Sequence, residues 1–89
     1  MNYYKQELER IRRNFRFSLG IYDRQPLLQK VLCREMMTKL KKFRIPKQFS
    51  FLFPVRKEIY DEIQNVYVAL KNGQIIRKED LPRLIDKED

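Results

Sequence analysis

The sequence predicts a small, mainly α domain of about three helices with a short C-terminal element. Three observations carry that reading. Apolar residues recur at three- and four-residue spacings in separate stretches, prolines stand where two of those stretches begin, and an Asn-Gly pair stands where the last one ends. The alternative is an α+β domain in which Phe17–Tyr22 or Phe49–Phe53 pairs with Gln74–Arg77 as a small sheet or hairpin. Residues 1–85 are expected to form one basic helical domain and residues 86–89 a frayed acidic tail.

The first helix is expected over residues 2–17, where Tyr4, Leu8, Ile11 and Phe15 form one stripe. Asn2 is suited to cap it, and acids early (Glu7, Glu9) with arginines late (Arg12, Arg13, Arg16) complement the helix dipole. After Phe15 the pattern is mixed, and Gly20 is expected to mark the break. Asp23-Arg24-Gln25-Pro26 reads as a turn, with Pro26 at a first helical position where its missing N–H costs nothing. The second helix, over residues 25–44, is expected to bury Leu28, Val31 or Leu32, Met36, Leu40 and Phe43. Pro46 disfavours helix at Ile45 and so ends it. Its last turns carry Lys39, Lys41, Lys42 and Arg44, more cations than complementing a dipole requires.

Gln48–Phe53 is expected to be a buried strand or irregular connector. Phe49, Phe51, Leu52 and Phe53 stand so close together that some must nevertheless face outward. The third helix, residues 54–71, keeps Val55, Ile59, Ile63, Val66 and Leu70 on one side and stops at Asn72-Gly73, with Gly73 left-handed. The same dipeptide suits a hairpin turn between Val66–Val68 and Gln74–Ile76, but the unbroken helical stripe favours the helix. Ile75 and Ile76 are expected to cross the core, and Asp80 to cap a last turn holding Leu81, Leu84 and Ile85.

Charge narrows the function. The 89 residues carry 20 Lys and Arg against 12 Asp and Glu, a net +8. The first 57 residues hold +11 and the remainder −3. There is no histidine and only one cysteine, Cys33. Imidazole acid–base chemistry, His-ligated metals, disulfides and thiolate zinc clusters are therefore excluded. No nucleotide-binding fingerprint is present. We expect no enzyme, no cofactor and no metal. Cys33, with no imidazole base, reads as a structural thiol. Glu58, Asp61 and Glu62 share a helix face and read as carboxylates at a helix start, with a divalent ion as the alternative. No uncharged stretch exceeds eight residues, and charges interrupt the N-terminal segment, so neither a membrane span nor a secretory peptide is expected and an intracellular location, cytoplasmic or nucleoid-associated, is.

A basic excess of this size points to an anionic partner. Arg12, Arg13 and Arg16 lie off the apolar stripe and are expected to face solvent together, as are Lys39, Lys41, Lys42 and Arg44. Such arrays bind phosphates by releasing counterions and need no base-specific contact, so nucleic-acid binding, DNA or RNA, would be weakly sequence-specific. Tyr3 and Phe17, off the stripe and near arginines, are the rings best placed to stack bases. The competing reading is a protein-interaction module that docks a basic, aromatic face on an acidic protein. Phe51 or Phe53 is expected at the contact of a homodimer or hetero-complex, with a monomer as the alternative.

Overall fold

The computed structural model describes residues 2–85; the expected frayed tail at residues 86–89 lies outside them. Asn2 opens the first helix as expected, its side-chain oxygen accepting the backbone N–H groups of Tyr4 at 2.7 Å and Lys5 at 3.1 Å. Helix α1 (Tyr3–Ile21) buries Leu8, Ile11, Phe15 and Leu19. It runs through Gly20 instead of breaking there. A Cβ at Gly20 would make ordinary contact with the side chains of Leu81 and Lys78, at 3.4 and 3.6 Å, so the glycine lies buried beneath the C-terminal arm and does not terminate the helix. Because α1 extends to Ile21, Arg12, Arg13 and Arg16 sit mid-helix and do not complement its C-terminal dipole.

Residues 22–25 turn the chain, with Arg24 at φ 59°, and Pro26 begins helix α2 (Pro26–Lys42) at its first turn. Its buried side is Gln29, Leu32, Cys33 and Leu40, with Met36 and Met37 packed beside them. Leu28, expected inward, is exposed, and of the alternatives Val31 or Leu32 it is Leu32 that is buried. The reason is Gln29. Its amide nitrogen donates to the carbonyls of Leu19 and Ile76, both at 3.2 Å, and takes the inward place at the start of the helix, while Leu32, Met36 and Leu40 keep the expected side.

The connector contains a 3₁₀ segment, Lys47–Leu52, kinked at Phe49. It is not a strand, and only Leu52 in it is buried; Phe51 is 62% exposed. Helix α3 (Phe53–Lys71) then buries Ile59, Ile63, Val66 and Leu70 on the expected stripe. It closes with Gly73 at φ 89°, whose N–H reaches the Leu70 carbonyl while that of Gln74 reaches Ala69, both at 3.0 Å. This paired closure is the Schellman arrangement of a helix end, so the hairpin alternative does not form. No strand occurs among the described residues, and the α+β alternative falls with it.

The arm beyond α3 buries Ile76 but leaves Ile75 exposed, correcting the expectation that both cross the core. It ends in a 3₁₀ turn, Lys78–Asp80, and the short helix α4 (Leu81–Ile85). The Asp80 carboxylate holds Arg77 and Arg83, each at 3.1 Å.

Side-chain partners fix the directions of the helices. Arg12 meets Glu58 and Arg16 meets Glu62, so α1 and α3 run the same way; Arg34 meets Tyr67 and Lys41 meets Tyr60, so α2 runs against α3. The result is an up-down-up bundle with extents of 40 × 27 × 20 Å. No described helix is long and apolar enough to cross a membrane.

Candidate functional site

The up-down-up order gathers at one end of the bundle the N-terminus of α1, the C-terminus of α2, the connector and the N-terminus of α3. Residues 36–57, which supply most of that end, contain seven Lys and Arg and no Asp or Glu. Lys39, Lys42, Arg44 and Lys47 are exposed, and none has an ion pair among the described residues. Lys41 stands 5.5 Å from the centre of the Tyr60 ring. Among the described residues Lys57 is the only one of the seven paired with a carboxylate, Asp61 at 2.9 Å. Where cations stand within a Debye length and no carboxylate intervenes, their potentials add instead of cancelling.

Aromatic rings occupy the same end. Tyr4 packs against Phe49 at 5.3 Å and Phe43 at 6.1 Å, and carries Tyr3 edge-on at 5.2 Å; Phe49 in turn meets Phe51 edge-on at 6.2 Å. The inner rings close the bundle, and the outer ones, Tyr3 and Phe51, remain about 60% exposed. Arg56 is held by a 2.6 Å bond to the Phe43 carbonyl, with its guanidinium 5.5 Å from the Phe53 ring. Between α2 and α3 lies an open groove of about 540 Å³ lined by Leu40, Lys41, Phe53, Arg56, Lys57 and Tyr60 among others.

Of the residues singled out in the sequence, the structure therefore brings together Lys39, Lys41, Lys42, Arg44, Phe51 and Phe53. Tyr3 joins them; Phe17 lies at the opposite end, where its 71% exposure has no basic neighbourhood of this density. The expectation that Arg12, Arg13 and Arg16 face solvent together is corrected. Arg16 makes two bonds to the Glu62 carboxylate at 2.8 and 2.9 Å, and Arg12 one to Glu58 at 2.8 Å. Only Arg13 is outward. Glu58 and Glu62 are taken up by these pairs and Asp61 by Lys57, and all three lie beyond the first turn of α3, which corrects their reading as carboxylates at the helix start. Among the described residues no three His, Cys, Asp or Glu side chains gather to hold a metal ion. The cleft of about 590 Å³ that these pairs line is accordingly charge-balanced along one wall.

Lys47, Arg56 and Lys57 were not among the residues singled out. The signal that identifies them is the run of 22 residues without a carboxylate, visible once charge is read by absence as well as by clustering.

The opposite end has a different character. Phe17 and Ile21 stand outward on α1, and Leu27, Leu28 and Val31 outward on α2, on the two sides of the tight turn. The two arginines of the C-terminal arm are paired: Arg77 with Glu79 and Asp80, Arg83 with Asp80. The hydrogen bond from Arg77 holds the Asp80 carboxyl below its ordinary range, and Asp80 and Glu79 raise the Arg77 guanidinium. Cys33 is fully buried between helices, and desolvation pushes its thiol up to about 12, a group unsuited to nucleophilic work. Comparison with protein-family models, curated proteins and solved structures finds no match.

Proposed function

We propose that this chain is a non-enzymatic nucleic-acid-binding protein that grips phosphates with the basic end of its bundle. The observation carrying this reading is that Lys39, Lys42, Arg44 and Lys47 are exposed, have no carboxylate partner among the described residues and stand together in a run of 22 residues without Asp or Glu. Neutralising a phosphate with each would release condensed counterions, which makes affinity steep in salt and indifferent to sequence. Arg12 and Arg16 take no direct part, because their guanidiniums serve the α1–α3 contact; Arg13 contributes at most from the side.

The test is fluorescence anisotropy on unrelated duplex DNA, single-stranded DNA and RNA sequences at two salt concentrations. We expect binding that weakens at least tenfold between 50 and 200 mM salt and varies little with sequence. Salt-independent binding, or none at 50 mM, would refute the proposal.

A protein partner is the second reading, favoured by the outward apolar residues Phe17, Ile21, Leu27, Leu28 and Val31 at the opposite end. Self-association through Phe51 or Phe53 fits less well, since a twofold contact there would set two groups of unpaired cations against each other.

A further inference from the structure

We infer that the nucleic acid taken by the basic end is single-stranded, with bases stacked on Tyr3, Phe51 and Phe53. The inference rests on the phosphate-binding reading above and adds the class of strand.

The rings are the reason. A large apolar ring left in water is unfavourable, and here three stand within the one region richest in unpaired cations. They are also held in place. Tyr3 leans on Tyr4 with its ring plane turned by 82°, and Phe51 leans on Phe49 with a turn of 78°. Each outer ring is braced by an inner one, so little rotamer freedom is left to lose on binding. Phe53 already carries a guanidinium near its ring, and Arg56 is pinned there by the Phe43 carbonyl. A base over Phe53 would meet a ring and a planar cation together.

A duplex cannot use this arrangement. Its bases are stacked on one another and show only their edges in the grooves, while the exposed rings would meet sugar and phosphate. Nor does the basic end present a free helix side to a major groove; its cations lie at a helix end and on an irregular connector. An unpaired strand offers both the phosphates the lysines require and the base faces the rings require.

The chain contains no tryptophan, so a Phe51→Trp substitution gives a single stacking reporter at an exposed position. The variant is titrated with an oligothymidine, an oligouridine, an abasic strand of equal length and a duplex of equal length, at 50 and 200 mM salt. Quenching by oligothymidine or oligouridine, with at least tenfold weaker binding to the abasic strand and the duplex, supports the inference. All four should share a steep salt dependence, because the phosphate contacts are common to them. Phe51→Ala and Tyr3→Ala should each weaken single-strand binding about five- to tenfold with an unchanged melting temperature, while binding to the abasic strand stays as it was. If the abasic strand binds as tightly as oligothymidine, or the duplex binds more tightly, stacking is overturned and phosphate binding stands. If none of the four binds, both readings fall.

Discussion

Removing Lys39, Lys42 and Arg44 together should flatten the salt dependence of binding far more than it disturbs the fold. Five exposed cations at the basic end, Lys39, Lys41, Lys42, Arg44 and Lys47, lack a carboxylate partner among the described residues. If each neutralises one phosphate of a single strand, the slope of log K against log salt is about −3.5, and a fourfold rise in salt weakens binding about 130-fold. The triple Ala variant keeps two contacts, for a slope of about −1.4 and a loss of about sevenfold over the same range. Lys41 is left in place because its ammonium faces the Tyr60 ring and would confound the fold. Lys39 and Lys42 favour the α2 C-terminus by about 0.3–0.5 kcal/mol each, so the folding cost is under about 1 kcal/mol. In a domain of this size that lowers the melting temperature by about 4–8 °C at most. Anisotropy titrations at four salt concentrations, with thermal melts on the same samples, make the measurement. A slope within 0.5 of the parent, with binding intact, would show that these cations do not touch phosphate and would refute the reasoning.

Glu62→Gln breaks a two-bond pair to Arg16 and should cost about 1–2 kcal/mol, read as a lower urea midpoint at unchanged m-value. Glu58→Gln should cost under about 0.5 kcal/mol, because Glu58 is 74% exposed; equal losses would show that burial does not set the difference. Thiol reagents at pH 8.5 should leave Cys33 unlabelled until denaturant unfolds the chain, and rapid labelling of the native protein would contradict its burial. Its thiol ionises at about 9 when unfolded and about 12 when folded, so the unfolded state loses its proton first and stability should fall as pH rises from about 9 towards 12. Asp80→Asn should abolish the part of the acid sensitivity that Asp80 confers. That carboxyl is held below its ordinary range in the fold, so its contribution is fully present above that range and is lost as pH falls below it, through the lowered value of the folded state.

The helices were legible because hydrophobic periodicity is a local signal, and α3 shows it best: Ile59, Ile63, Val66 and Leu70 lie inward as their spacing demands. What failed was the part decided by distant partners. Leu28 is a more apolar choice for the interior than Gln29, yet the Gln29 amide donates to the carbonyls of Leu19 and Ile76, and nothing near Gln29 announces residues 10 and 47 positions away. Arg12 and Arg16 looked like free cations for the same reason. A trace of the answer was present, since Arg12/Arg16 and Glu58/Glu62 share a spacing of four and so can form matched rungs between parallel helices. The lysine cluster of α2 needed no distant partner, and its exposure was legible from the helical stripe alone.

The way Ile76 is held has a consequence for the order in which the chain acquires its structure. Its carbonyl accepts both the Gln29 amide and the N–H of Arg24, while the N–H of Lys78 is bound by the Asp23 carboxylate. The bend between the first two helices, including Arg24 at its left-handed angle, is therefore fastened by residues made about fifty positions later. During synthesis the three long helices can meet before that fastening exists, and the hairpin of α1 and α2 stays free to adjust until the arm arrives. Loop closure across such a separation is slow relative to helix growth, so docking of the arm should be the last event in folding and its release the first in unfolding. Amide exchange at Arg24 and Lys78 would then precede exchange in the middle of α3, and the basic end, far from the arm, would keep its shape after the opposite end had opened.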